Sequence, residues 1–402
     1  MRLLKKACQV LVMSIFFISQ INGQVSKLSN NKSDSLYLNL KEYINETVVQ
    51  QPTQINASKW SKALWGMNLM LYQPLGFEKK IPSILATLPT QSNSFQYSFL
   101  EMLYTNYPLK FATQVQNIWQ KLATAKVQAI ALEYLALNKT FPLISNRQDT
   151  LPPHLQVYLK EQTKAIQQPK QDDFLDANFL PQQVVLCSFQ NKNRNLPGFL
   201  MIRLGNHQWL SDDNGTPYRF PQLARSITNL PYYLTNGNTP QGLYKLNGWD
   251  ISDNKFIGTT TNLQMILPFE DWQPTFFNNN EKGIEAEVYS KILSPTLAAY
   301  KQLWQSFTAG KLGRSEIIAH GTAINPLLYK NQSYYPNTPS LGCLCSPELR
   351  NEDNTINYSS QQLWVQKVQD ITNAKGYLIV AEIADFNKKY GKVSAKNLSG
   401  NK

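Results

Sequence analysis

His320, Cys343 and Cys345 fall within one stretch, Glu316 to Glu348, which reads EIIAHGTAINPLLYKNQSYYPNTPSLGCLCSPE. It holds one of the chain's 3 histidines and two of its 4 cysteines. A thiolate is the reactive form of cysteine, and a nearby imidazole is the usual means of producing it at neutral pH. Gly342, directly before Cys343, lets the backbone turn tightly, and amides around such a turn can point at an oxyanion. The spacing leaves two readings open: a nucleophile with its base, or a buried histidine and a buried cysteine on adjacent strands. In an extended segment Cys345 shares a face with Cys343. It then serves as a resolving thiol, as a partner for Cys187, or simply as packing. A lone C-x-C with one histidine is short of a complete metal site, so no metal is expected from these residues.

These residues need elements to hold them. Short runs rich in β-formers, VVLCSFQ (184–190) and GFLMIRL (198–204), predict a hairpin. Cys187 reads as a buried small hydrophobe in its first strand, and His207 as a turn residue after the second. LTNGNTPQGLYKLNGW (234–249) is turn-rich, then strand-like, and 256–269 reads as further strand. Residues 281–308 return to helical spacing around Pro295, which predicts a helical insertion. SEIIAHG (315–321) and GCLC are short apolar runs, 359–375 reads as a helix, and GYLIVAEI (376–383) as a closing strand.

Upstream, residues from about 40 to 168 read as helical. Trp60, Leu64, Met67 and Leu71 recur at helical spacing within 58–73, and 95–108 and 126–138 behave alike. Leu100-Glu101-Met102-Leu103 resembles Leu132-Glu133-Tyr134-Leu135, which hints at stacked helical hairpins with a period in the thirties. His154 in LPPHLQ reads as a surface loop residue. The polar, aperiodic stretch 164–178 reads as a linker or domain edge.

Composition bounds what such a protein does. The chain has 402 residues, 42% hydrophobic and 16% charged, enough for two folded domains. A net charge of +12 favours anionic surfaces such as a cell wall or membrane face. No Lys/Arg block interleaved with aromatics appears, which argues against nucleic acid. At the N-terminus, Arg2, Lys5 and Lys6 precede an apolar run from Ala7 to Ser19, with Gly23 as a small residue before a cut. The run is shorter than a transmembrane helix needs, so residues 1–23 read as a signal peptide and the product as exported to the periplasm or cell envelope, with no transmembrane helix in the mature chain. Cleavage leaves Cys187, Cys343 and Cys345, an odd number that keeps at least one thiol unpaired within a monomer.

The order TPQGLYKL, AHGT, SLGCLC resembles the L,D-transpeptidase (YkuD-like) catalytic domain, which shows TP-x-G before a strand, then HG-[ST], then [ST]-H-G-C followed by an apolar residue and Arg or Asn. Thr239, Pro240 and Gly242 fit the first element, His320, Gly321 and Thr322 the second, and Ser340, Gly342, Cys343 and Leu344 the third. Leu341 and Cys345 depart from it, and the gap from His320 to Ser340 is longer than usual. The resemblance implies a β-rich catalytic domain at 179–386, interrupted by the helical insertion; with the helical reading upstream, an all-α domain at 24–178, and a basic polar tail at 387–402, the expected fold is an α+β multi-domain protein. The resemblance also implies Cys343 as nucleophile, His320 as base with its far nitrogen on the Gly321 carbonyl, and Ser340 shaping the turn. Oxyanion donors come from the amides of Gly342, Cys343 or Leu344, and substrate contacts from Thr239, Gly242, Tyr244 and Thr322. The implied reaction is acyl transfer from a peptidoglycan stem peptide to an amine, or to water. An inactive wall-binding domain and a cysteine hydrolase of another wall bond are the alternatives.

Overall fold

The computed structural model describes residues 30–138, 150–162, 167–254, 257–270, 276, 285–322, 324–351, 355–372, 374–384 and 386. The expected signal segment, 1–23, and basic tail, 387–402, lie outside them. A helical region is followed by a mixed sheet that curls into a nearly closed barrel with inserted helices, so the chain is an α+β multi-domain protein.

Seven α-helices make the first region: α1 (Asn30–Val48), α2 (Ala57–Met70), α3 (Ile81–Thr87), α4 (Asn93–Asn106), α5 (Ala112–Ile118), α6 (Ala125–Ala136) and α7 (Pro153–Gln162). The three expected helical runs fall on α2, α4 and α6. Trp60, Leu64 and Met67 are fully buried. Leu71 does not continue the stripe; it takes a left-handed conformation (φ 49°) and ends α2, its N–H reaching Asn68 O. Ser92 and Thr124 cap α4 and α6 by accepting from Phe95 N and Val127 N, each at 3.3 Å. The loop expected at His154 is instead the first turn of α7, which opens on Pro153. Burial, helped by the Lys126 charge, pushes the His154 imidazole down to about 4.

The sheet holds eight strands in the order β3-β2-β1-β10-β4-β5-β6-β7. They are β1 (Val185–Gln190), β2 (Gly198–Arg203), β3 (Phe220–Gln222), β4 (Gly242–Asp250), β5 (Asn262–Ile266), β6 (Ala319–Gly321), β7 (Leu344–Ser346) and β10 (Tyr377–Glu382). β8 (Glu348–Arg350) and β9 (Ile356–Ser359) form a separate hairpin. Backbone bonds Leu223 N to Cys345 O (2.8 Å) and Cys345 N to Leu223 O (2.9 Å) bring the two ends of the order together. The strand expected at 315–321 enters the ladder only at Ala319, because Glu316 takes a positive φ of 61° that extended chain does not allow.

Side chains alternate across the sheet with period two. Leu186, Leu200, Ile202, Leu378 and Val380 join a core continuous with the helical region. Cys187, Phe189, Met201, Ile379 and Ala381 face a second core, closed by α8 (Glu285–Ala298) and α9 (Gln305–Lys311). α8 is broken at Ser294 (φ 68°), just before Pro295. The expected linker also belongs to this second core: Phe174 is fully buried there, because the aromatic residue outweighs the polar ones around it. α10 (Ser360–Ile371) packs against β3 and β6.

The helical region grips the segment that leads to Thr239. Glu101 and Glu133, which lie the same number of residues after their helix caps, are both buried. Asn236 Nδ2 donates to Glu101 Oε1 (2.9 Å), Tyr233 OH to Glu133 Oε1 (2.6 Å) and Tyr232 OH to Glu161 Oε1 (2.9 Å). Tyr97 OH adds a bond to Thr235 O at 2.7 Å. On another side, Tyr329 OH donates to Leu69 O at 2.8 Å.

Burial raises both Glu101 and Glu133 from 4.5 to about 7, against the Asn236 and Tyr233 hydrogen bonds that lower them. A carboxyl whose folded pKa exceeds its unfolded one contributes stability below the unfolded value and loses it as pH climbs through the folded one. Stability is therefore expected to fall between about pH 5 and 8, by on the order of 3 kcal/mol per glutamate at the upper end. Glu101→Gln and Glu133→Gln keep the acceptor oxygen, so each should flatten that fall in thermal melts across pH. Parallel melting curves for wild type and both variants would refute the assignment.

Candidate active site

β6 and β7 run parallel, with Ala319 opposite Leu344, His320 opposite Cys345 and Gly321 opposite Ser346. This register sets the His320 ring beside Cys345. His320 Nδ1 lies 2.6 Å from Gly321 O. A carbonyl only accepts, so Nδ1 carries the proton and Nε2 keeps its lone pair. That nitrogen stands 3.4 Å from Cys345 Sγ. Burial lowers the imidazole pKa, opposed by the Gly321 and Ile257 backbone, which leaves a neutral ring able to act as a base.

The two thiols divide the requirements between them. Cys345 is buried, and its pKa is raised well above the usual range by burial and next by Cys343. Cys343, one residue before β7, is half-exposed, with Sγ 3.7 Å from Glu316 O. Desolvation pushes it up to about 11, opposed by the Ile318 backbone and the Arg314 charge. Among the described residues no hydrogen bond joins Cys343 to His320. The accessible thiol and the thiol on the base are thus neighbours, and sequence spacing alone did not distinguish them. The three described cysteines are free; Cys187 lies in the second core, where burial pushes it up to about 12.

The turn before Cys343 is held from several sides. Ser340 Oγ donates to Cys343 O (2.9 Å) and accepts from Gly342 N (3.0 Å). Thr239 Oγ1 donates to Gly342 O at 2.8 Å, which ties TPQG to the cysteine turn. Gly342 has φ 121°, and a Cβ there would meet Arg314 Nη2 and the Gly237 carbonyl, so both conformation and space demand glycine. These bonds narrow the choice of oxyanion donor. Gly342 N is committed to Ser340 and Leu344 N to Ile318 O (3.0 Å), so neither is free. The Cys343 amide has no partner among the described residues and is the one available.

The residues expected to contact substrate build the walls instead. Thr239 and Thr322 are buried, and Thr338 Oγ1 donates to Thr322 Oγ1. Tyr244 is fully buried, its OH on Pro240 O at 2.7 Å. Gly242 (φ 123°) leaves room for Leu303 O, Ser306 Oγ and Tyr289 OH. Gly321 has its own reason: a Cβ there would strike the Glu348 carboxyl, which accepts from Ser359 Oγ at 2.7 Å. Neither Glu348 nor Arg314 stood out by spacing; tertiary pairing alone brings them in. Leu341, at the tip of the turn, is 47% exposed beside Cys343, an apolar side chain offered to whatever approaches the thiol.

Comparisons with protein-family models, with curated proteins and with solved structures gave no match. Among the described residues no group of three or more His, Cys, Asp or Glu is placed to hold a metal ion. No described helix is long and apolar enough to cross a membrane.

A thiol at about 11 is ionised only to about one part in a thousand at pH 8. Iodoacetamide labelling of Cys343, followed by peptide mass mapping, is expected to quicken roughly tenfold per pH unit from about pH 7 to 10. A plateau by pH 7 would mean a thiolate formed in advance, and would overturn the neutral-pair description.

Proposed function

We propose that this chain is an exported cysteine acyltransferase of the L,D-transpeptidase kind, acting on peptidoglycan stem peptides in the periplasm or cell envelope. One observation carries the reading: a neutral imidazole, oriented by the Gly321 carbonyl, sits on the strand beside a half-exposed thiol that follows a glycine turn. Its supports are the same local geometry and the three ordered sequence elements.

In the proposed reaction His320 Nε2 takes the Cys343 proton as the sulfur attacks the carbonyl of the third stem residue. The developing oxyanion lies toward the Cys343 amide. Collapse breaks the C–N bond, and the imidazolium returns its proton to the leaving D-alanine nitrogen. An amine then attacks the thioester, His320 takes the amine proton, and the sulfur leaves as the thiol. Water in place of the amine makes the same site a carboxypeptidase. His320 Nε2 faces Cys345 Sγ at 3.4 Å, so serving Cys343 requires the His320 ring to turn away from Cys345.

The Cys345 contact also favours a second reading, a wall-binding domain whose base is held away from its thiol. Purified protein incubated with disaccharide-tetrapeptides, with products identified by mass, separates the two. Cys343→Ala is expected to abolish cross-linked and trimmed products alike. His320→Gln should slow turnover by roughly 10²–10⁴, and Cys345→Ala should leave turnover within a few-fold. Loss of turnover on Cys345→Ala with retention in Cys343→Ala would reassign the nucleophile. Binding of wall material with no product from wild type would favour the second reading.

A further inference from the structure

Arg314 is a buried guanidinium whose hydrogen-bond partners among the described residues are all carbonyl oxygens: Nη1 donates to Tyr232 O and to Asn238 O (2.8 Å), and Nη2 to Gly237 O. These carbonyls neutralise part of the charge but supply no counter-anion. The same guanidinium occupies the space where a Gly342 side chain would stand, directly beside Cys343. Arg203 shows what a structural guanidinium looks like in this fold. It too is buried, and it donates to Phe179 O (2.7 Å) and Leu180 O (2.8 Å), but in the region of the second core.

We infer that Arg314 is a positioning residue for Cys343, tying down the segment that leads into TPQG, filling the space beside Gly342 and supplying the positive charge that favours the Cys343 thiolate over the thiol. The inference rests on Cys343 being the reactive thiol. Arg314 holds its proton up to about pH 9, where the charge is read; burial lowers its pKa only to about 10. The Ile318 backbone acts on Cys343 in the same sense, whereas the charged groups Glu316 on its own segment and Glu270 from the chain after β5 both raise the thiol, leaving Arg314 as the cation that favours its ionised form. Around Arg314 itself stand Tyr244 from β4 and Tyr97 from α4, and its charge in turn depresses Lys126 on α6. The Tyr232, Gly237 and Asn238 carbonyls that it ties down belong to the segment held by Glu101, Glu133 and Glu161.

A structural role and an electrostatic role predict opposite signs. Losing a tie that only packs the turn would loosen it, expose Cys343 and speed its labelling. Losing the charge would make thiolate scarcer and slow it. Iodoacetamide labelling of Cys343 across about pH 7 to 11, read by peptide mass mapping, is therefore the measurement, on full-length wild type, Arg314→Lys, Arg314→Met and Arg203→Met. Arg314→Met is expected to label several-fold more slowly at pH 9, with its profile displaced upward by about one pH unit. Arg314→Lys should keep most of the wild-type profile, and Arg203→Met should lower the melting temperature without moving it. Faster labelling, or an undisplaced profile, in folded Arg314→Met would overturn the inference. If Arg314→Met does not fold, Arg314→Lys and Arg314→Gln decide: equal profiles for the charged and neutral replacements would overturn it. Labelling requires no turnover, so a wild type that labels as expected but gives no peptidoglycan product would fail the functional reading and leave the Arg314 inference standing.

Discussion

The site depends on a few backbone hydrogen bonds at the seam where the sheet nearly closes. β7 is a three-residue strand with β6 on one side and the chain around Leu223 on the other. Its amides and carbonyls are committed to both, so neither position nor register is free to slip. A slip by one residue would turn every side chain to the opposite face. Here that would carry Cys345 away from His320 and break the bond from Thr239 to Gly342. Chain closure thus fixes which sulfur meets the imidazole. The same commitment consumes the Leu344 amide and leaves the Cys343 amide open just outside the ladder.

The helical region extends this constraint. It shares one continuous core with a face of the sheet, so it is packed against the site's scaffold rather than tethered beside it. Buried side chains in such a core are each worth roughly 1.5–3 kcal/mol, and the aromatic and aliphatic residues at the junction make it stiff. Three glutamates, on α4, α6 and α7, then reach to one loop. A buried carboxylate without partners is costly, and the Tyr232, Tyr233 and Asn236 donors meet that cost only if the loop stays in place. The loop runs directly into Thr239, so order in the helices reaches the cysteine turn through Thr239 and through Arg314.

Much of this was legible where local chemistry decides the outcome. Gly242 and Gly342 mark turns that only glycine makes readily, and both short motifs around them stand where such turns were expected. Helical periodicity located α2, α4 and α6, and short runs rich in β-formers located β1, β2 and β10. The likeness of LEML to LEYL was visible too, although its consequence, two glutamates aimed at one loop, needed the packing. What local pattern could not carry was pairing. Opposition of Cys345 and His320 follows from strand register, the engagement of the Gly342 amide from Ser340 turning back on it, and the place of Arg314 from three carbonyls far from it in sequence. Likewise Phe174 joins a core from a stretch whose composition resembles a linker. The walls, Thr239, Thr322 and Tyr244, carry polar atoms of the kind that bind ligands, and only their burial shows that those atoms are already spent on the protein.

The resting state that results is a chemically quiet one. A thiol near 11 costs roughly 5 kcal/mol to ionise at pH 7, at about 1.4 kcal/mol per pH unit. Sulfur oxidation tracks thiolate character and exposure, so a half-exposed cysteine kept protonated is protected against oxidation in a way that a permanent thiolate would not be. The same cost slows attack unless something offsets it when substrate arrives. His320 is suited to this role because it is neutral and unprotonated at Nε2, and a proton accepted during attack avoids a separate ion pair beforehand. Occupancy near Leu341 would exclude water and strengthen every charge interaction around the sulfur, that of Arg314 included. Under the proposed reaction, then, specificity and reactivity have a common origin: the thiol becomes a nucleophile only when a bound acyl donor has brought the imidazole off Cys345 and sealed the site.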